Sequence, residues 1–147
     1  MKDDEVRTLY FDLLRAWNGR DAKAMAALCT PAATMIGFDG SEMVGSDAIE
    51  AALAPIFSDH PTASYVAIVR EVTPLTDDVA VLRAEAGMIP PDEEDLDPSK
   101  NVVHTLVALR ADDRWQVALY QNTPAAFDGR PEAVERLTDE LRSAPRL

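Results

Sequence analysis

The chain has 147 residues, 47% of them hydrophobic and 27% charged, with a formal net charge of −12. That length and balance describe a single domain, residues 1–147, large enough to bury a core without disulfide or metal staples. The acidic charge repels phosphate backbones and anionic lipid, so nucleic acid and membrane surfaces are set aside as partners, and no apolar run is long enough to span a bilayer.

Val6, Leu9, Tyr10, Leu13, Leu14 and Trp17 follow the i, i+3, i+4 spacing of one helix face. Asp3, Asp4 and Glu5 suit the positive end of that helix, and Asn18-Gly19 is expected to end it in a left-handed cap. Asp21 is placed to cap a second, short helix over Ala22 to Cys29, closed by Pro31. Ala33 to Phe38 reads as a strand, and Asp39-Gly40-Ser41 as a turn. After Glu42, Met43 and Val44 resume the apolar run. A third helix follows, with Ser46 as its cap and Ile49, Leu53, Ile56 and Phe57 on its buried face, and Asp59-His60-Pro61 terminates it.

The remainder is mostly strand. Tyr65 to Val72 and Val79 to Met88 form an antiparallel hairpin broken at Pro74 and Thr76-Asp77-Asp78. Ile89 through Ser99 is a long acidic connection, of a length often associated with function or mobility. Val102 to Arg110 and Trp115 to Thr123 are two more strands around Ala111-Asp112-Asp113-Arg114. Arg130 to Arg142 is a last helix with Pro131 in its first turn and Val134, Leu137 and Leu141 on one face. Helices cluster early and strands late, which is an α+β plan rather than alternating βαβ.

Several segments in this order resemble the nuclear transport factor 2-like (SnoaL-like) superfamily. Ala16-Trp17-Asn18-Gly19-Arg20-Asp21 is similar to the family's end of helix one. Gly45-Ser46-Asp47-Ala48-Ile49 is similar to the start of its third helix, and Trp115-Gln116-Val117-Ala118-Leu119 to its final strand. Gly37-Phe38-Asp39-Gly40-Ser41, Leu53-Ala54-Pro55-Ile56-Phe57, Gly87-Met88-Ile89-Pro90-Pro91 and Gln121-Asn122-Thr123-Pro124-Ala125-Ala126-Phe127 resemble its SgcJ/EcaC-type branch. The resemblance implies a cone: a curved, mostly antiparallel sheet wrapped around N-terminal helices, with a C-terminal helix added. It also implies a homodimer through outer sheet faces. The superfamily holds isomerases, cyclases, dehydratases and binding proteins, and some members of the branch accompany polyketide biosynthesis. The positions matching the isomerase-type base and acid fall near Gly37 and Leu13, which transfer no proton. No Gly-x-Gly-x-x-Gly is present, so no nucleotide cofactor is expected.

A cone pocket is apolar with a few polar groups, and the last strand offers them. Gln116, Ala118, Tyr120 and Asn122 share one face of that strand, and Trp115, Val117, Leu119, Gln121 and Thr123 the other. Trp115 argues for the second face as interior, which would send Gln121 into the pocket and turn Tyr120 and Asn122 towards a partner subunit. All three are carried as ligand-binding candidates. His104 is the one histidine inside a strand and is a candidate for both catalysis and binding; the plainer alternative is a hydrogen-bonded core histidine. Glu85 is a second catalytic candidate if its face lines the cavity, but the favoured reading pairs it with an arginine such as Arg83, Arg70 or Arg110 at the sheet surface. Asp39 is a binding candidate in a sequence that is also ordinary turn chemistry. Tyr10 and Trp17 lie on the buried stripe, and Trp17 is kept as a binding candidate.

The acidic run Asp92, Glu93, Glu94, Asp95 and Asp97 lacks the order of a calcium loop and is read as solvated charge, so no metal site is expected. The opening residues lack the basic and apolar regions of a signal peptide, and Cys29 stands alone, so the expected compartment is the cytoplasm. The expected role is a binding or accessory protein of secondary metabolism with a hydrophobic, polyketide-like ligand. The alternatives are a proton-transfer enzyme and a dimerisation module without a small ligand.

Overall fold

The first apolar stripe forms helix α1, Lys2–Asn18, in a computed structural model that describes residues 2–147. Val6, Tyr10, Leu13 and Leu14 on that stripe are wholly buried. Two further helices follow, α2 (Ala22–Ala27) and α3 (Ser46–Asp59), with strands β1 (Cys29–Ile36) and β2 (Glu42–Val44) around them. Then come β3 (Ser64–Thr76), β4 (Val79–Ile89), β5 (Asp97–Ala111), β6 (Arg114–Pro124) and helix α4 (Pro131–Arg142). The six strands make one sheet in the order β2-β1-β6-β5-β4-β3. Every pairing is antiparallel except β1 with β6, which is parallel. The α+β cone with a C-terminal helix is thus the architecture found.

Alternation divides the sheet into two faces. Tyr65 and Ala67 of β3 join the main core with α1, α2 and α3, whereas Val66 between them joins a second cluster with Leu137 and Leu141 of α4. The inner face therefore holds the N-terminal helices, and α4 covers part of the outer face. Arg70 ties α4 to the sheet, donating to Glu85 at 2.6 Å and to Glu140 at 2.9 Å. At Gly87 a side chain would not fit: an added Cβ would lie 2.8 Å from Leu96 and 3.0 Å from Leu141.

Several local expectations are corrected. The second helix ends at Ala27, and Cys29 begins β1 instead. Pairing of Cys29 with Val117 of β6 outweighs the helix preference of the alanines. Pro31 lies inside β1, where the pairing with β6 is irregular between Cys29 and Thr34, so its missing N–H costs no ladder bond. Pro74 lies inside β3, which is an edge strand. Gly45, not Ser46, is the cap of α3. After α1 the left-handed residue is Arg20, at φ 54°. Asn18 instead bonds β3: its Oδ1 accepts from Tyr65 N at 2.7 Å and its Nδ2 donates to Tyr65 O at 3.1 Å. The helix end thereby serves as a partner for the start of the edge strand.

The turn at Asp112-Asp113 has positive φ at both residues, 53° and 59°, the geometry that matches strand twist in a tight hairpin. The acidic connection is shorter than expected, since β5 begins at Asp97. It is also anchored: Arg142 of α4 donates to both carboxylate oxygens of Asp95, at 2.9 and 3.1 Å. That guanidinium holds the Asp95 carboxyl below its usual range. Among the described residues no helix is long and apolar enough to cross a membrane.

Candidate functional site: an apolar cavity in the cone

One irregularity in β6 places the site. Val107 of β5 pairs with Leu119, but the next residue, Ala108, pairs with Val117, so Ala118 is an extra residue. A bulge of one residue reverses the faces beyond it. Trp115 and Val117 point inward before Ala118, and Tyr120 and Asn122 point inward after it, and all four are buried. The expectation of one uninterrupted face is therefore corrected. Gln121, between two inward residues, lies on the outer face beside Thr105, away from the cavity.

Tyr120 and Asn122 form the polar end of a cavity of about 150 Å³ inside the cone. Trp17 from α1, Leu53 from α3, Tyr65 from β3 and Phe38 from the β1–β2 connection also line it. So do Met25, Met35, Met43 and Met88, four of the chain's five methionines. Methionine is unbranched and polarisable, so this wall can adapt to a ligand's outline. Trp17 donates its indole N–H to Ala63 O at 2.9 Å and packs edge-on against Phe57, which holds the ring in place. Phe38 is 38% exposed and forms part of the mouth, with the Lys100 ammonium 5.1 Å above its ring. A larger groove of about 480 Å³, with Phe127, Arg130 and Val134 in its walls, lies outside the cone along α4. It is open to solvent, whereas the inner cavity is more enclosed and has polar groups at one end, as binding sites do.

Behind the polar end lies a buried network centred on His104, which is 0% exposed and does not reach the cavity. Asn122 Nδ2 donates to Ile36 O at 3.0 Å, so the amide oxygen must face the imidazole. His104 Nε2 lies 2.8 Å from Asn122 Oδ1 and therefore carries the proton. Nδ1 is then an acceptor, and the Tyr10 hydroxyl donates to it at 2.7 Å. Tyr120 Oη lies 3.0 Å from the same Nε2 and shares its proton as an acceptor. Tyr65 donates its hydroxyl to Asn122 Oδ1 at 3.2 Å.

Burial without a nearby carboxylate pushes His104 down to about 4, so it is neutral over the physiological range. Burial also raises Tyr65 to about 12 and lifts Tyr10 and Tyr120 well above their ordinary value. The site is thus a set of neutral hydroxyl, amide and imidazole groups with no formal charge.

The other sequence candidates lie elsewhere. Glu85 is on the outer face, paired with Arg70. Asp39 is exposed and accepts from Ser41 N at 2.9 Å, which is turn chemistry and lowers its carboxyl pKa. Of the sequence candidates, the cavity brings together Trp17, Tyr120 and Asn122. Sequence reasoning missed Tyr65 and the methionine wall. Tyr65 carried a readable signal, an aromatic with a polar tip beginning a strand; the methionines carried none, because they come from four separate elements or connections.

Comparison with known proteins agrees with this architecture. The family described as SnoaL-like domain matches residues 6–126. A Nostoc punctiforme domain of unknown function with a cystatin-like fold is 21% identical, covers 96% of this chain and 94% of its own, and superposes with a TM-score of 0.80. A Shewanella oneidensis NTF-2 like protein of unknown function is 20% identical over 84% of this chain and 99% of its own, with a TM-score of 0.65. A ketosteroid isomerase-like protein from Erwinia carotovora is 17% identical over 84% and 95%, also at 0.65. At these identities the likeness shows the fold. No curated protein matches the chain in sequence. The matched span covers most of the molecule, including Trp17, Tyr65, Tyr120 and Asn122, and the chain belongs to the SnoaL-like domain family of the nuclear transport factor 2-like superfamily.

Proposed function

We propose that this protein binds an uncharged, hydrophobic small molecule in the cone cavity, as a binding or accessory protein of secondary metabolism in the cytoplasm. The observation that carries this reading is the lining itself: four methionines and the rings of Trp17 and Phe38 around one polar end made by Tyr65, Tyr120 and Asn122. An apolar wall with a few convergent hydrogen-bonding groups is the usual build of a small-molecule site. The two groups named for the proton-transfer alternative lie outside the cavity lining. His104 is buried behind the cavity and bonded at both nitrogens, and Glu85 is ion-paired outside the cone.

Thermal melting with a panel of uncharged aromatic and alicyclic fragments tests the reading. A ligand of the native cavity raises the melting temperature by mass action and perturbs Trp17 fluorescence. If no fragment does either at millimolar concentration, the reading fails.

A second reading concerns the outer face, where one observation favours a homodimer. Val81, Val107, Leu119, Thr34 and Val44 are register partners in one row across five strands. Val44 is 62% exposed, the others are half-buried, and α4 packs elsewhere on this face. Two copies meeting on this row would bury it.

A further inference from the structure

The volume of the cavity and the direction of the protons at its polar end together specify a ligand class. Building on the proposed binding role, we infer that the cavity takes a single-ring, uncharged ligand bearing one acceptor oxygen, such as a ring ketone, and that the Tyr120 hydroxyl is the donor to that oxygen.

Size is the first argument. A dry, apolar cavity of roughly 150 Å³ accommodates a benzene-sized guest, and this one measures about 150 Å³. Drug-sized ligands occupy cavities of about 300 Å³ or more. The methionines can adjust to the outline of one ring, but a second fused ring would have to displace Leu53, which is buried. A polyketide-derived ligand would therefore enter as one ring.

Charge is the second. No carboxylate, ammonium or guanidinium is among the lining groups. The tyrosines are held neutral by burial, and His104 behind them is neutral as well. An ionised group seated at the Tyr120 end, away from Lys100 at the mouth, would leave water without gaining a counter-charge, which is strongly unfavourable.

The third argument is proton direction. The orientation of Asn122 puts a proton on His104 Nε2, so Tyr120 Oη is an acceptor in that contact and its own proton is directed elsewhere. Tyr65 has already committed its proton to Asn122 Oδ1. A ligand oxygen at this end of the cavity receives the Tyr120 proton, the one hydroxyl proton that the network leaves to offer.

The test uses the full chain with ε-13C-methionine labels, so that Met25, Met35, Met43 and Met88 report binding directly. The probes are acetophenone, its oxygen-free isostere α-methylstyrene, benzoate and 1-acetonaphthone. Acetophenone is expected to shift the four methyl signals saturably. It should bind about fivefold more tightly than α-methylstyrene, the worth of one neutral hydrogen bond. Benzoate and 1-acetonaphthone should bind at least about tenfold more weakly than acetophenone. In Tyr120→Phe the preference for acetophenone over α-methylstyrene should vanish.

Equal or tighter binding of benzoate or 1-acetonaphthone overturns the ligand class while leaving the cavity as a binding site. So does an oxygen preference that survives in Tyr120→Phe. The wild-type ranking decides ring size and charge whether or not the variant folds. If none of the four probes moves the methionine signals, the ligand class and the binding role both fall.

Discussion

Asn122 Nδ2 donates to the carbonyl of Ile36 at 3.0 Å, from β6 to the end of β1, and this bond orients the protons of the network behind the cavity. With the amide reversed, two carbonyl oxygens would face each other. The arrangement therefore requires the Nε2–H tautomer of His104 and a donating Tyr10. Tyr10→Phe removes that donor and leaves Nδ1 as a buried acceptor without a partner. The expected cost is about 1–3 kcal/mol, read as a fall in the urea midpoint with an unchanged m-value. Nitrogen-15 NMR of the imidazole checks the same logic without a mutation: a protonated Nδ1 in the wild type would contradict it.

The pH dependence of stability follows from the same residue. His104 is pushed down to about 4 when folded, against an ordinary value of 6.5. Between these values the unfolded chain binds a proton that the folded chain does not, so stability falls as pH falls through that window. Above pH 6.5 the residue is neutral in both states and costs nothing. Integrated over the window, the loss is roughly 3 kcal/mol. Asp39, Asp95 and Asp97 have lowered carboxyl values, so their contribution is lost at still lower pH. Urea unfolding at several pH values between 4 and 7 should show the slope, and His104→Gln should flatten it. An unchanged slope in that variant would assign the acid sensitivity to other groups.

Gly87 gives a prediction about the outer layer. Its Cα faces Leu96 and Leu141 so closely that an added Cβ would stand 2.8 and 3.0 Å from their methyls and 3.2 Å from Asn101 Oδ1. Gly87→Ala must push α4 outward or distort those rotamers, at a cost of about 1–3 kcal/mol. Hydrogen exchange should show α4 amides losing protection while α1 keeps its own. Because Leu141 is wholly buried, Leu141→Ala should produce the same pattern through a cavity rather than a clash.

The fold was legible where periodicity governs. The stripe from Val6 to Trp17, the apolar face of α3 and the Tyr65–Met88 hairpin all lie where the spacing placed them. Glu85 pairs with Arg70, one of the partners the sequence offered, and Asp39 performs its turn chemistry. The site was less legible because it depends on one inserted residue. Trp115 does point inward, but the bulge at Ala118 turns Tyr120 and Asn122 inward as well, and alternation alone carries no sign of a bulge. The tyrosine cluster around His104 joins residues as far apart as Tyr10 and Asn122, and only the packing of α1 on the curved sheet brings them together.

The outer row supplies the last prediction. Val107 and Leu119 are register partners, flanked by Val81 on one side and Thr34 on the other. On an isolated subunit this row would leave β-branched and leucine side chains facing water across five strands. A two-fold contact would bury each such residue against the same patch of a second copy. A stable dimer needs on the order of 1,200 Å² or more of total buried surface, which a sheet face of this width can supply. Sedimentation equilibrium at micromolar concentration should therefore give a dimer for the wild type. In Leu119→Lys two ammonium groups would be brought into the desolvated centre, and a monomer with an unchanged circular dichroism spectrum is expected. Half-buried Leu119 lies outside the cavity lining, so the variant should keep its affinity for acetophenone. A monomeric wild type, or a dimer indifferent to Leu119→Lys, would remove this row as the contact surface.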